Sequence, residues 1–354
     1  MRIAQTRFRS FRNLENALIP WGNGLNVLTG ANGAGKTNVL EALHVLTGWG
    51  TFGGARFADA VQWDGQRGCG LAAQLFGERN ALIEVSIQNR ASLRLDGRAC
   101  RWGDLRACVQ SLTFLPSDMA LLEGAPAVRR RFLDTLCALY FPLYAFKLAE
   151  YRKITQTRRH LLTIGHSLKV TENAAADLAS WIWECRREVI VSLVSKLETW
   201  KDLLPARLSL QLRRGGSSGI DDPLLDFRRS CELAAERERA ARTPLVGPHR
   251  DDLLLTCGGR PAAASLSRGQ RRRSALALVL SAASSVEDRY RQAPVLLFDE
   301  VTSELDGEGR SILMCCLERS GWQVFAATAE NSLPHVHATI WRLDGGRISK
   351  EAER

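Results

Sequence analysis

Eight consecutive residues near the N-terminus have the types and spacing of a phosphate-binding loop: Gly30, Ala31, Asn32, Gly33, Ala34, Gly35, Lys36 and Thr37. They match the P-loop pattern, in which glycines let backbone N–H groups point at phosphate oxygens. A helix that begins at such a loop adds the positive end of its dipole. The pattern predicts that Lys36 reaches the β- and γ-phosphates of ATP and that the Thr37 hydroxyl ligates Mg²⁺.

A pair of carboxylates follows four apolar residues much later in the chain. Residues 295–298 (Val-Leu-Leu-Phe) predict a fully buried strand, and Asp299 and Glu300 come directly after it. The carboxyl ends of strands are where α/β sheets place their sites. We expect Asp299 to hold Mg²⁺ through water, and Glu300 to orient or deprotonate the attacking water. Lys36, Asp299 and Glu300 are therefore the predicted catalytic residues.

Two further elements resemble parts of ABC ATPases. Residues 266–270 (Leu-Ser-Arg-Gly-Gln) resemble the ABC signature Leu-Ser-Gly-Gly-Gln, with Arg268 in place of the first glycine, and residues 303–306 (Ser-Glu-Leu-Asp) resemble the D-loop. In ABC proteins the signature faces the γ-phosphate bound by the other protomer. The resemblance therefore implies an ATP-dependent, head-to-tail homodimer in which the nucleotide also meets the following residues: Ser267, Gly269, Gln270 and Asp306.

The roles of three arginines, one threonine and one glutamine stay open. Arg271, Arg272 and Arg273 crowd the first turn of the helix that the signature opens, where cations oppose the helix dipole. Either an anion lies nearby or this turn is a solvated basic surface. Thr328 stands where transporter-type ABC proteins carry a switch histidine, which suggests slow hydrolysis. Gln110 is either the Q-loop residue that senses Mg²⁺ or an unrelated residue before a strand.

Short strands and one helix place these motifs. The P-loop lies between a predicted strand at residues 25–29 and a helix at 37–46, and two strands are predicted before it, at 3–9 and 14–21. Strands at 71–76, 82–87 and 92–95 predict an antiparallel meander. Residues 117–242 are mostly helical in pattern, and strand character returns near Leu245. The sequence predicts an α/β, ABC-type P-loop ATPase head (mixed sheet plus antiparallel β meander), built from residues 1–116 and 243–354. An α-helical arm domain is inserted at 117–242.

Composition indicates the class of protein and the cellular compartment. The chain has 354 residues, 45% hydrophobic and 24% charged, which suits a soluble protein of two domains. Its apolar stretches are far shorter than the roughly 20 residues of a membrane span, and its N-terminus lacks an apolar signal region. We expect a cytoplasmic protein with no membrane partner. The nine cysteines, none spaced Cys-x-x-Cys, are typical of small buried residues in a reducing compartment.

Net charge favours a polyanionic partner. It is +10, but only seven of the 48 basic residues are lysine, and a coding bias toward arginine is the alternative explanation for part of the excess. Charge alone therefore favours nucleic acid only slightly.

Longer blocks resemble the RecF family over nearly the whole chain. Phe11-Arg12-Asn13, residues 36–42 after the P-loop, the block Gly124-x-Pro126-x-x-Arg129-Arg130 that continues to Asp134, and residues 247–253 (Gly-Pro-His-Arg-Asp-Asp-Leu) are similar to its sequence elements. Arg129 and Arg130 are either helix-surface cations or direct contributors to function. The same choice applies to His249, which is otherwise a satisfied turn histidine. Residues 157–159 (Thr-Arg-Arg) depart from the family's Gln-Arg-Asn.

The resemblance implies an ATP-switched protein of recombinational repair and replication restart. ATP would close two molecules around DNA, preferably duplex, gapped or linear. The implied DNA partner is single-stranded as well as duplex, and it is bound without sequence preference. RecO- and RecR-type mediators would help it load RecA on gapped DNA and support SOS induction. Its ATPase is expected to be weak, DNA-stimulated and to act as a switch. The alternatives are an ABC-type subunit serving a transporter or an SMC/Rad50-like structural complex.

Overall fold

The computed structural model describes residues 1–61, 68–88, 90–216, 218–300, 302–303, 305–328 and 337–351. In chain order the strands are β1 (Arg2–Arg9), β2 (Ala17–Pro20), β3 (Leu25–Thr29), β4 (Cys69–Phe76), β5 (Ala81–Ile87), β6 (Ala91–Leu95), β7 (Arg98–Ala99), β8 (Ser111–Phe114), β9 (Leu208–Arg213), β10 (Asp252–Cys257), β11 (Arg260–Pro261), β12 (Val295–Phe298), β13 (Gln323–Ala327), β14 (Ala338–Asp344) and β15 (Arg347–Lys350). The helices are α1 (Lys36–Leu46), α2 (Trp102–Cys108), α3 (Ala120–Glu123), α4 (Pro126–Tyr140), α5 (Tyr144–Thr163), α6 (Lys169–Leu197), α7 (Pro223–Ala241), α8 (Ala262–Ser265), α9 (Arg268–Tyr290) and α10 (Gly307–Ser320).

The chain divides into two compact units. The head unit comprises residues 1–119, 200–205 and 267–354, and the arm unit comprises residues 120–199 and 206–266. The arm unit extends to Leu266 because β10 pairs with β9 along its whole length. The domain boundaries at 116/117 and 242/243 stay a prediction beside this division.

Two six-stranded sheets form the head unit. One is the antiparallel meander, in the order β2-β1-β4-β5-β6-β7, and the other runs β15-β14-β3-β13-β12-β8. In the second sheet β14, β3, β13, β12 and β8 are parallel, and β15 adds an antiparallel edge. Helix α1 contacts β4 and β5 of the meander and β12 and β13 of the other sheet, so it lies between them. Its apolar positions are fully buried, which holds the start of α1 in place.

The arm unit is built around α6. This helix packs against α4, α5, α7 and β9, and the three-stranded sheet has the order β11-β10-β9. Strand β9 lies inside the segment that the sequence pattern predicts to be mostly helical. Its partner β10 is about 40 residues further along the chain, so the local residue pattern does not reveal this strand. No helix in the described part of the chain combines the length and apolar character that a bilayer crossing requires.

Candidate functional site

The P-loop connects β3 to α1 through a backbone that only glycine adopts easily. Gly30 has φ 145° and Gly35, the residue before the helix, has φ 108°. A Cβ atom on Gly30 would lie 2.3 Å from the Leu343 carbonyl oxygen, and one on Gly35 would lie 2.9 Å from Asn13 Oδ1. No side chain among the described residues caps α1. The first-turn N–H groups of α1 therefore face the loop without a side-chain acceptor, as a bound phosphate requires.

Lys36 and Thr37 carry the polar groups of this site. The Lys36 ammonium donates hydrogen bonds to the carbonyl oxygens of Gly30 at 2.6 Å and Ala31 at 3.0 Å. Thr37 Oγ1 donates to Asp299 Oδ2 at 2.9 Å, although the two residues are 262 positions apart. The structure thus brings together the P-loop and the acidic strand end, as the sequence predicts.

The acidic pair lies at the carboxyl end of β12, which is fully buried between β13 and β8. Asp299 is 5% exposed, and burial raises the pKa of its carboxyl group, while the Thr37 hydrogen bond opposes that rise. The Glu300 side chain is exposed and its backbone is left-handed, with φ 49°. One carboxylate is thus enclosed beside Thr37, and the other is open to a water molecule.

An element before the loop supports it from behind. Arg12 forms a bidentate ion pair with Glu41 of α1, with both N···O distances at 2.9 Å. Asn13 Nδ2 donates to the Gly33 carbonyl oxygen at 3.2 Å, and its Oδ1 accepts from Asn38 Nδ2 at 2.7 Å. The sequence offers Phe11-Arg12-Asn13 only as a family likeness, so this supporting role comes from the structure.

The signature and D-loop residues begin helices. Ser267 caps α9: its Oγ accepts from Gln270 N at 3.3 Å, and Gln270 Oε1 accepts from Ser267 N at 3.0 Å. Ser267 and Gln270 are exposed and Gly269 is partly exposed. Asp306 caps α10 by accepting from Gly309 N at 2.7 Å. Glu304 of the D-loop lies outside the described residues. The signature residues thus lie at an exposed helix start.

The three arginines after the signature are not simply a solvated basic turn. Arg272 is 1% exposed, donates through Nη2 to the Glu300 carbonyl oxygen, and lies over the Phe114 ring at 5.6 Å. Arg273 Nη2 donates to the Asp202 carbonyl oxygen at 2.9 Å. At both of these positions a backbone carbonyl oxygen accepts a hydrogen bond from the guanidinium. The residue pattern gives no sign that Arg272 is the buried one.

The structure places Thr328 and Gln110 at opposite edges of the second sheet. Thr328 is buried at the end of β13, and its hydroxyl lies 2.9 Å from the Thr302 hydroxyl, which ties this strand end to the turn after Glu300. Gln110 immediately precedes β8 and donates to the Ala107 carbonyl oxygen at 2.9 Å. Because β8 and β12 are parallel, Gln110 lies at the opposite edge of the sheet from Asp299. The Q-loop interpretation of Gln110 is therefore wrong.

Comparison with known proteins decides the family. A family model described as "RecF/RecN/SMC N terminal domain" matches residues 1–344. A DNA replication and repair protein RecF from Heliobacterium modesticaldum is 32% identical over 390 residues, with 99% of each chain covered. The chain belongs to the RecF family.

Solved structures share the fold of this chain. The recombination mediator protein RecF with ATP, of the RecFOR pathway, superposes with a TM-score of 0.86 at 23% identity, covering 99% of this chain and 97% of that one. An SMC head bound to the C-winged helix domain of ScpA gives a TM-score of 0.61 at 15% identity, covering 99% and 98%. At these identities the likeness concerns the fold. It confirms the predicted ABC-type ATPase head with an inserted α-helical arm.

The blocks that resemble RecF in the arm unit form its polar core. Arg129 makes a bidentate ion pair with Asp252, at 2.6 and 3.1 Å, and Arg130 donates to the Asp251 carbonyl oxygen at 2.7 Å. His249 Nδ1 lies 2.8 Å from the Tyr151 hydroxyl, and burial lowers its pKa to about 4. His249 is thus a satisfied, neutral turn histidine, and the two arginines hold the block against α4.

The same core contains a fully buried cation. Arg186 of α6 is 1% exposed and donates to Asp251 and, at 2.8 Å, to Asp134 of α4. In the departing segment at residues 157–159, Arg158 is also buried and lies 3.7 Å from Glu238. The RecF blocks of the arm therefore have a structural role first.

Proposed function

We propose that this RecF family member is an ATP-switched DNA-binding protein of DNA replication and repair. The observation that carries the proposal is the hydrogen bond from Thr37 to Asp299, which places a P-loop hydroxyl beside a buried carboxylate at the carboxyl edge of the sheet. Its relative from Heliobacterium modesticaldum is named for DNA replication and repair. A purely structural scaffold has no need of this paired arrangement.

ATP and Mg²⁺ fit the residues present. The glycine backbone and uncapped α1 offer N–H donors to phosphates, and the Thr37 and Asp299 oxygens are the hard donors that Mg²⁺ prefers. Mg²⁺, when bound, would screen the phosphate charge. Lys36 would exchange its contacts with the Gly30 and Ala31 carbonyl oxygens for contacts with phosphate oxygens. Glu300 would orient or accept a proton from the attacking water.

The exposed signature supports ATP-dependent dimerisation. Ser267, Gly269 and Gln270 would contact the nucleotide held by a second copy, with Asp306 at the seam. Nucleotide favours the closed state only through contacts that the open state lacks, and a signature in trans provides such contacts. Hydrolysis then acts as a weak, DNA-stimulated timer that reopens the pair.

DNA is the proposed partner of the closed state. The net charge of +10 supports phosphate contacts, which are sequence-tolerant and steeply salt-dependent. RecO- and RecR-type mediators are the proposed protein partners. With them the protein would place RecA on gapped DNA and support SOS induction.

Fluorescence anisotropy with labelled gapped duplex DNA tests the switch. Binding is measured with ATP, with ADP and without nucleotide, for the wild type, Lys36→Met and Ser267→Arg. Exposed positions far along the head unit provide matched controls, Lys350→Met and Ser349→Arg. We expect ATP to tighten DNA binding in the wild type and in both controls, and not in the two site variants.

Each result has a distinct meaning. Loss of the ATP effect in Lys36→Met alone would contradict the role of the signature in trans. DNA affinity that ignores nucleotide in every protein would overturn the switch and return attention to a transporter-type or structural ATPase.

A further inference from the structure

The backbone of Glu300 is held in an unfavourable conformation by converging donors. Its φ of 49° lies in the left-handed region, which residues other than glycine rarely adopt. Its carbonyl oxygen accepts from Ser303 N at 3.0 Å, from Ser303 Oγ at 2.9 Å and from Arg272 Nη2. Residues held this way cluster at active sites when the surrounding structure enforces the conformation. The backbone of Glu300 therefore determines where its exposed carboxylate points.

Arg272 is the donor that comes from outside this turn. It is 1% exposed, and its guanidinium lies over the Phe114 ring at the carboxyl end of β8. It belongs to the first turns of α9, the helix that Ser267 caps. One short helix segment thus carries both the exposed signature and the contact to Glu300.

We propose that Arg272 is a positioning residue for ATP hydrolysis, holding the Glu300 peptide so that its carboxylate faces the attacking water. The proposal rests on the hydrolytic role of Glu300 proposed above. Arg272 touches no reacting atom and acts through the carbonyl group of Glu300. A shift of the α9 N-terminus would reach the Glu300 peptide through the Arg272 guanidinium.

This contact has a consequence for a pair of molecules. The signature of one copy would meet the nucleotide of the other, whereas its Glu300 serves its own nucleotide. Arg272 therefore links the two nucleotide sites within a single chain, since engagement of Ser267 at one site moves the helix that orients the carboxylate at the other.

Three variants of the full chain separate positioning from folding and from binding. Arg272→Met keeps an apolar chain over Phe114 and removes the donor, and Arg272→Lys restores a cationic donor. Arg273→Met is the matched control, because Arg273 is the next residue on α9 and also donates to a backbone carbonyl, that of Asp202. For each variant we measure kcat of ATP hydrolysis and, with a fluorescent ATP analogue, the nucleotide Kd. Lys36→Met gives the background rate of hydrolysis.

We expect Arg272→Met to lower kcat about 10- to 100-fold while the nucleotide Kd stays within about twofold of the wild type. Arg272→Lys should recover part of the loss, and Arg273→Met should retain the wild-type kcat. Equal kcat values for Arg272→Met and Arg273→Met would overturn the proposal. So would a loss of nucleotide affinity that matches the loss of kcat, since that result indicates a structural role.

If Arg272→Met does not fold, the two lysine variants still test the proposal. In that case a lower kcat of Arg272→Lys than of Arg273→Lys at unchanged Kd supports positioning, and equal values overturn it. A wild type no faster than Lys36→Met refutes hydrolysis itself. That result is distinct from a failure of Arg272 alone.

Discussion

The charge of Asp251 can be removed by the substitution Asp251→Asn with almost no change in size. Its carboxylate is fully buried in the arm unit, where it pairs with Arg186 and accepts from Trp183 Nε1 at 2.8 Å and Gly215 N at 2.6 Å. An asparagine amide offers one acceptor oxygen in place of two and turns N–H donors toward other donors. The variant therefore leaves Arg186 buried with less compensating charge.

The structure sets the size of this effect. Removing one partner of a buried ion pair costs about 3–5 kcal/mol. Arg186 keeps its contact with Asp134 at 2.8 Å, so we expect the lower end, about 3 kcal/mol. Since about 1.4 kcal/mol is a factor of ten, amides whose exchange requires opening of the arm core should exchange about 100-fold faster.

Hydrogen–deuterium exchange followed by mass spectrometry resolves this change by unit. Peptides from α6 and β10 should lose protection in Asp251→Asn, whereas peptides from the meander of the head unit should change little. Asp96→Asn is the matched control, because Asp96 pairs with Arg79 at 3.3 Å between exposed side chains, where ion pairs contribute little. Exchange of α6 that is no faster in Asp251→Asn than in Asp96→Asn would refute the reasoning.

Two other predictions concern the buried His249 and the exposed Asn13 beside the P-loop. Burial lowers the pKa of His249 to about 4, so its imidazole binds a proton more tightly in the unfolded chain than in the folded protein. The free energy of unfolding should therefore fall as the pH drops from about 6.5 to about 4, and the loss at pH 5 is about 2 kcal/mol. Urea midpoints at pH 7 and 5 should show a smaller difference in His249→Gln, and an unchanged difference would contradict this pKa. In the head unit, Asn13→Ala removes the amide that contacts the Gly33 carbonyl oxygen and Asn38, and should weaken ATP binding about 5- to 10-fold. Asn23→Ala, at an exposed turn, should leave ATP binding unchanged. Equal nucleotide affinities for the two variants would contradict a role of Asn13 in supporting the P-loop.

The arrangement of the candidate nucleotide site was predictable because its signals are local. The P-loop needs a strand before it and a helix after it, and residues 295–298 are apolar at every position because both faces of β12 are buried. The strands of the meander alternate in burial as their residues predict. Which end of a strand meets the site is not a local property. That is why the residue pattern leaves the role of Gln110 open, and only the parallel pairing of β8 with β12 places it at the edge opposite Asp299.

Contacts between distant segments were not predictable. Arg186 reads as a polar position on an amphipathic helix, and its burial depends on Asp251, 65 residues later. Arg272 stands between two similar arginines, and only the packing of α9 against β8 distinguishes it. Strand β9 is short and acquires its pattern of burial from β10. In each case the deciding partner lies outside any window in which periodicity is read.

The position of β3 has a consequence for how the protein is made. Its hydrogen-bonded neighbours are β13 and β14, which follow it by about 300 residues. At about 5–20 residues per second, a ribosome needs about 15–60 s to cover that interval. During this time the strand that leads into the P-loop has neither of its partners, whereas the meander is complete as soon as Ala99 has been added. A chain that stops before Gln323 would carry the complete P-loop sequence on a strand with no sheet to join.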